Sequence, residues 1–197
     1  YDGEVAFTDA IVASILDKLS ALGLLSSTIV AVIGDHGESL GDHGEETHSM
    51  FVYDSAVRVP FLLWRPGRLP AGLVIRQPVR AIDLPWTLAE LVGVPPPKTP
   101  HSRSLVPLIE GRGQASEPVY AETYLPELYM NWAPLRALRD DRWKLIDAPR
   151  PELYDLATDA GETQNLYDRE PQTAAAIRRA LDRLAGDRTQ PVKGVTL

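Results

Sequence analysis

The sequence predicts an α/β fold that runs on into a smaller antiparallel α+β layer, and three observations carry that prediction. A segment of helical period opens the chain, two apolar runs follow it at 28–33 and 59–64, and past a Pro-rich stretch the pattern changes to short strands and one last helix. With 197 residues, 44% of them hydrophobic, the chain can bury one sizeable core or one core plus a small added layer.

Taken in order, Val5, Ile11, Val12, Ile15, Leu16, Leu19 and Leu22 recur at helical spacing and predict an amphipathic helix over 3–22, with Gly23 placed to end it. Thr28-Ile29-Val30-Ala31-Val32-Ile33 is mostly β-branched and continuously apolar, which suits a strand covered on both faces, as in a parallel sheet. A polar, glycine-rich loop then runs to about residue 55, ahead of a second strand at 59–64. Asp83 is predicted to cap the next helix, with Pro85 in its first turn, Leu84, Leu88 and Leu91 facing inward and Gly93 at its end. Pro95-Pro96-Pro97 forbids continuation. A strand is expected at 119–122 after the breaker Pro118, and strands at 135–139 and 143–146 flank the turn signal Asp140-Asp141 as a hairpin. Residues 152–156 add a further strand, and 171–186 form a helix opened by Pro171 and closed near Gly186. The expected organisation is an α/β part at 1–93, a Pro-rich connection at 94–117 and an antiparallel sheet plus helix at 118–197.

The 27 acidic and 20 basic residues are interspersed, so neither a nucleic-acid stripe nor a basic membrane-surface helix is present. No apolar run reaches the roughly 20 residues that span a bilayer. The first residues lack the basic-then-apolar order of a signal peptide, and a chain opening at Tyr1 rather than Met is expected to be a fragment. Zero cysteines exclude disulfides, a zinc–thiolate site and a cysteine nucleophile.

Chemistry concentrates in Gly34-Asp35-His36-Gly37-Glu38-Ser39-Leu40-Gly41-Asp42-His43-Gly44. Asp35 and His36 would leave the first strand at its carboxyl end, where open sheets form ligand crevices. On a regular strand they would face opposite ways, so only an irregular loop can turn both toward one ion, and the glycines supply that freedom. A carboxylate with an imidazole suits Ca, Mg, Mn or Zn; the alternative is a solvated turn whose histidine merely hydrogen-bonds. An EF-hand does not fit, because Leu40 stands at the sixth position where that loop needs glycine.

Five ordered landmarks resemble the sulfatases of the alkaline phosphatase superfamily: Tyr1-Asp2-Gly3-Glu4-Val5 with its helix, the Gly34–Gly44 segment, Arg58-Val59-Pro60-Phe61, Leu138–Ile146, and Glu152–Leu166. The likeness covers nearly the whole chain and matches the carboxyl-terminal part of that family. It implies part of an alkaline-phosphatase-like sheet sandwiched by helices, followed by the small antiparallel subdomain. It also implies a divalent metal, calcium first among Ca, Mg, Mn and Zn, with Asp35 and His36 as two of its ligands. His48 occupies the region where many sulfatases place a lysine against the sulfate and the leaving oxygen, and so becomes the implied substrate-binding and catalytic acid residue. Asp42 and His43 are assigned structural roles, since two more ligands so close in sequence would crowd one ion. Arg58 is expected to pair with a carboxylate.

The chain departs from the family in one respect that decides its activity: it contains no Cys/Ser-x-Pro-x-Arg nucleophile motif, Ser116-Glu117-Pro118-Val119-Tyr120 ending in Tyr where Arg is required. The implied function is therefore the carboxyl-terminal portion of a sulfuric ester hydrolase, inactive alone and holding metal weakly, with a sulfate ester as substrate and an upstream half of the same polypeptide as partner. Two other readings stand beside it: a phosphoryl or phosphonate ester hydrolase of the same superfamily, and a non-catalytic binding or assembly module. Self-association through the first helix and the 28–33 strand is expected if the chain is made by itself.

Overall fold

A computed structural model of the protein describes residues 1–97, 101–113 and 115–185. Helix α1 (Asp2–Ala21) matches the helical period, and the chain leaves it through Gly23 at φ 68°, a conformation that costs glycine little. Strand β1 (Val30–Ile33) pairs antiparallel with β2 (Phe61–Trp64), Val30 opposite Trp64 and Ile33 opposite Phe61. This corrects the expectation of a parallel strand covered on both faces. Among the described residues β1 has β2 alone as its partner, and Val32, Leu62 and Trp64 on one face of the pair are exposed. An unbroken apolar run reports that a strand avoids water, but carries no information on the direction of its neighbour.

Helix α2 (Asp54–Val57) is a single turn that starts at the end of the predicted loop. Helix α3 (Leu84–Val92) ends at Gly93, φ 74°, as expected, but Asp83 does not cap it with its side chain. Its carboxylate is fully buried and accepts bonds from the Arg80 and Arg103 backbone N–H groups and from the Arg80 guanidinium, so it fastens the incoming chain and the 103 segment together. Helix α4 (Val106–Ile109) lies in the Pro-rich connection, and α5 (Leu125–Met130) follows the third strand.

Strands β3 (Val119–Thr123), β4 (Leu135–Arg139), β5 (Trp143–Asp147) and β6 (Glu152–Asp155) form one antiparallel sheet in chain order. The period-2 alternation sorts its residues between two cores. Leu138, Leu145 and Leu153 pack against Ala174, Ile177 and Leu181 of α6 (Pro171–Ala185), while Ala137, Ile146 and Tyr154 on the other face pack around Val52. The hairpin and the last helix follow the sequence expectation; the predicted stop at Gly186 lies outside the described residues. Arg136 and Arg178 both grip Asp147, which locks α6 to the sheet.

Candidate active site

The β1–β2 ladder continues one residue past β1, Gly34 N–H donating to the Pro60 carbonyl at 3.1 Å, and the chain then breaks away. Gly37 lies so close to α2 that a Cβ there would be 2.0 Å from the Ser55 carbonyl oxygen, and its N–H donates to the Ala56 carbonyl at 2.7 Å. This contact turns the chain between β1 and α2 and leaves Asp35 and His36 at the surface.

The loop brings the two predicted ligands together. Asp35 Oδ2 is 3.9 Å from His36 Nε2. His36 Nδ1 donates to the Gly37 carbonyl at 2.8 Å; a carbonyl only accepts, so the neutral ring carries its proton on Nδ1 and keeps the Nε2 lone pair free on the side of the carboxylate. Asp35 Oδ1 accepts the His36 N–H at 3.0 Å. That bond, reinforced by Asp35's own N–H and the imidazole charges, holds the carboxyl below its ordinary value. Two atoms each about 2.0–2.5 Å from a shared ion can be no more than about 5 Å apart, so the pair fits a divalent cation of the hard-to-borderline class. No group of three or more such side chains gathers among the described residues.

His48 comes to the same place from the far end of the loop. Its ring stacks on His36 with centroids 3.8 Å apart and planes 24° from parallel. Its Nδ1 lies 3.1 Å from Glu38 Oε2, which leaves Nε2 as the nitrogen available to a substrate. The Glu38 contact is one that no sequence pattern contains, since a pairing ten positions apart follows no helical or strand period. Ser39 N–H to the Thr47 carbonyl (2.7 Å), Gly41 N–H to the Glu45 carbonyl (2.9 Å) and the buried Glu45 carboxylate, which accepts Met50 N–H at 2.7 Å and Ser39 Oγ at 3.2 Å, close this loop on itself. Thr123 Oγ1 donates to the Ser49 carbonyl at 2.6 Å and ties it to the end of β3.

His43 stacks on Tyr53 at 3.6 Å, in keeping with a structural role. Arg58 does not behave as expected: it is exposed and forms no ion pair among the described residues, and Asp54, four residues back, is paired elsewhere. Asp54 meets Arg139 at 2.6 Å and Lys144 at 2.9 Å, and its N–H donates to Glu162 at 2.6 Å. Lys144 Nζ also stands 2.7 Å from Glu162 Oε1, at ion-pair distance though not aligned for a hydrogen bond. This buried cluster ties α2 to the four-stranded sheet, and α2 in turn holds Gly37. The sheet at the end of the chain thus sets where Asp35 and His36 stand.

Residues 41–190 match the model of the carboxyl-terminal family of N-sulphoglucosamine sulphohydrolase. The chain is 33% identical to choline-sulfatase of Rhizobium meliloti, over 85% of this chain and 32% of that protein. It is 31% identical to the delta 4,5-hexuronate-2-O-sulfatase of Bacteroides thetaiotaomicron, over 79% of this chain and 34% of that protein. Among solved structures it resembles a phosphonate monoester hydrolase from Silicibacter pomeroyi, with a TM-score of 0.75, 25% identity and coverage of 95% of this chain and 41% of that one. The chain spans about a third of the length of the curated relatives it matches.

Proposed function

Because the chain belongs to the sulfatase family, by a match to that family's carboxyl-terminal part, we propose that it forms the carboxyl-terminal portion of a metal-dependent enzyme that hydrolyses sulfate esters. The observation that carries this reading is the convergence of Asp35 Oδ2 and His36 Nε2 within 3.9 Å, with the His48 ring stacked on His36. Asp35 and His36 would hold the divalent cation, calcium first and otherwise Mg, Mn or Zn. When bound, the ion polarises the sulfuryl oxygens and offsets their charge. Glu38 fixes the His48 ring through Nδ1, and His48 in its imidazolium form presents Nε2–H to the leaving oxygen as S–O cleavage develops charge there. The nucleophile that attacks sulfur is supplied by a segment outside this chain, so the chain by itself turns nothing over.

Two measurements test the proposal. Calorimetry of the chain with Ca and Mg is expected to give no affinity tighter than millimolar, since oxygen-binding cations need six or more ligands and the described residues gather two side chains for them; a tightly held ion coordinated wholly by residues of this chain would refute the half-site. Joined to a segment carrying the nucleophile, the chain is expected to cleave sulfate esters. His48→Ala should then lose on the order of 10²–10⁴-fold on alkyl sulfates and far less on 4-nitrophenyl sulfate, whose leaving group needs no proton. Equal losses on both would remove the acid role. A second reading, phosphonate ester hydrolysis, is favoured by the Silicibacter pomeroyi likeness and by the tetrahedral oxyanion common to both reactions. A higher kcat/KM on phenyl phosphonates than on sulfates would select it.

A further inference from the structure

A cavity of about 500 Å³, within the usual size range for small-molecule sites, opens at the end of the β1–β2 pair away from Asp35. Ile29 lines it from just before β1, Arg65 and Arg68 from just after β2, and Leu91 and Val92 from the last turn of α3. No carboxylate lines it among the described residues, although the chain carries a net charge of -7.

We infer that this cavity binds a tetrahedral oxyanion of the phosphate or sulfate class, held between Arg65 and Arg68. The inference is independent of the reaction proposed at Asp35, His36 and His48, none of which lines the cavity.

Local sequence sets the two arginines side by side. Arg65-Pro66-Gly67-Arg68 is a tight turn in which Arg68 N–H donates to the Arg65 carbonyl at 3.2 Å. Pro66 takes its second position with a fixed φ, and Gly67 its third at φ 72°, where a side chain would be strained. The end residues of such a turn have Cα atoms less than about 7 Å apart, so both side chains can reach one ion. Neither arginine forms an ion pair among the described residues, and Arg65 Nε–H is shielded from solvent with no acceptor. Arg103 and Arg139 also hold an unpartnered Nε–H, but their guanidinia are paired through other nitrogens with Glu117 and Asp54. Arg65 thus combines a buried donor with an uncompensated charge, and a bound anion relieves both. The end of α3 offers at most about half a negative charge against two full positive ones, so it does not satisfy them. Two planar forks present more N–H donors than the two oxygens of a carboxylate accept, whereas a tetrahedral dianion matches both the charge and the donors. Ile29, Leu91 and Val92 make the wall apolar, which strengthens a charge pair.

Calorimetric titration of the chain in low salt tests this with sodium phosphate, sodium sulfate, phenyl phosphate and sodium acetate, circular dichroism reporting on folding. Phosphate and sulfate are expected to bind with Kd on the order of 1 mM, and acetate about tenfold more weakly. Arg68→Gln, at an exposed position, should weaken phosphate about tenfold, and Arg65→Gln by as much or more; Arg65→Lys, which keeps the charge and loses the fork, should recover only part. Phenyl phosphate binding more tightly than phosphate would assign the site to an oxyanion carried on an apolar body, and equal affinities to the free ion. Absence of phosphate and sulfate binding, acetate binding as tight as theirs, or binding that Arg68→Gln leaves unchanged would each overturn the inference. The readout is binding that depends on Arg65 and Arg68, so failure here is separate from failure at Asp35, His36 and His48.

Discussion

Gly37 is the residue on which the site turns. The Ser55 carbonyl that a Cβ at this position would meet is backbone of α2, and α2 is fixed from behind by Asp54, so the clash cannot be relieved by a rotamer change. Gly37→Ala is expected to lower unfolding free energy by about 1–3 kcal/mol, as overpacking does, and to pull Asp35 and His36 out of register. Gly3→Ala makes the contrast: nothing lies within 4 Å, the position is in α1, and the change should be neutral or stabilising by up to about 1 kcal/mol. Urea denaturation of both variants checks the pair, and equal midpoints would show that α2 yields. Asp83 teaches a related lesson. Its place ahead of α3 reads as a cap, yet the side chain bridges Arg80 and the 103 segment, a contact that no local pattern contains.

At the scale of elements, the four-stranded sheet is covered on both faces, by α6 on one and by the 51–56 segment on the other, and the second contact carries buried charge. Lys144 is 1% exposed between Asp54 and Glu162. Lys144→Met removes the cation and leaves carboxylates facing each other out of water, which should cost about 3–5 kcal/mol in urea denaturation; a loss under about 1 kcal/mol would mean that Arg139 alone suffices. One rung along the β5–β6 pair from Lys144, Asp155 accepts two bonds from Arg142 at 2.9 and 2.6 Å. Those bonds, above all, hold its carboxyl below the ordinary value of 3.8. A group whose folded-state value is depressed stabilises the fold above the unfolded value and loses that contribution as pH falls through the folded one. Asp155→Asn should therefore be less stable than the unaltered chain at pH 7, and the gap should close below pH 3.8. A gap that persists unchanged in acid would assign the effect to neutral hydrogen bonds.

For the whole molecule, the uncovered apolar surface matters most. Phe7, Ile11 and Ile15 of α1 are 68%, 44% and 54% exposed, and α1 buries no residue at all. Leu62 and Trp64 on the open face of β2 add further exposed apolar area, and water tolerates such area poorly. The purified chain is expected to self-associate, and Ile11→Lys with Ile15→Lys to shift it toward monomer in light scattering. A monodisperse monomer before any substitution would show that this face needs no cover.

How much was legible in the sequence depended on whether a feature is periodic or local. The helices at 2–21, 84–92 and 171–185, the hairpin around Asp140-Asp141 and the strand after it could be read because apolar residues and breakers repeat or fall at fixed positions along one element. Asp35, His36 and His48 were candidates from residue type and resemblance. The antiparallel pairing of β1 with β2, the Glu38–His48 contact and the Asp54–Lys144–Glu162 cluster were decided only in three dimensions. Each joins residues far apart in the chain, and hydrogen bonds and ion pairs between distant segments are selected by how those segments pack. The sequence by itself determined which side chains are available for the chemistry and which stretches withdraw from water; the tertiary structure decided which of them meet.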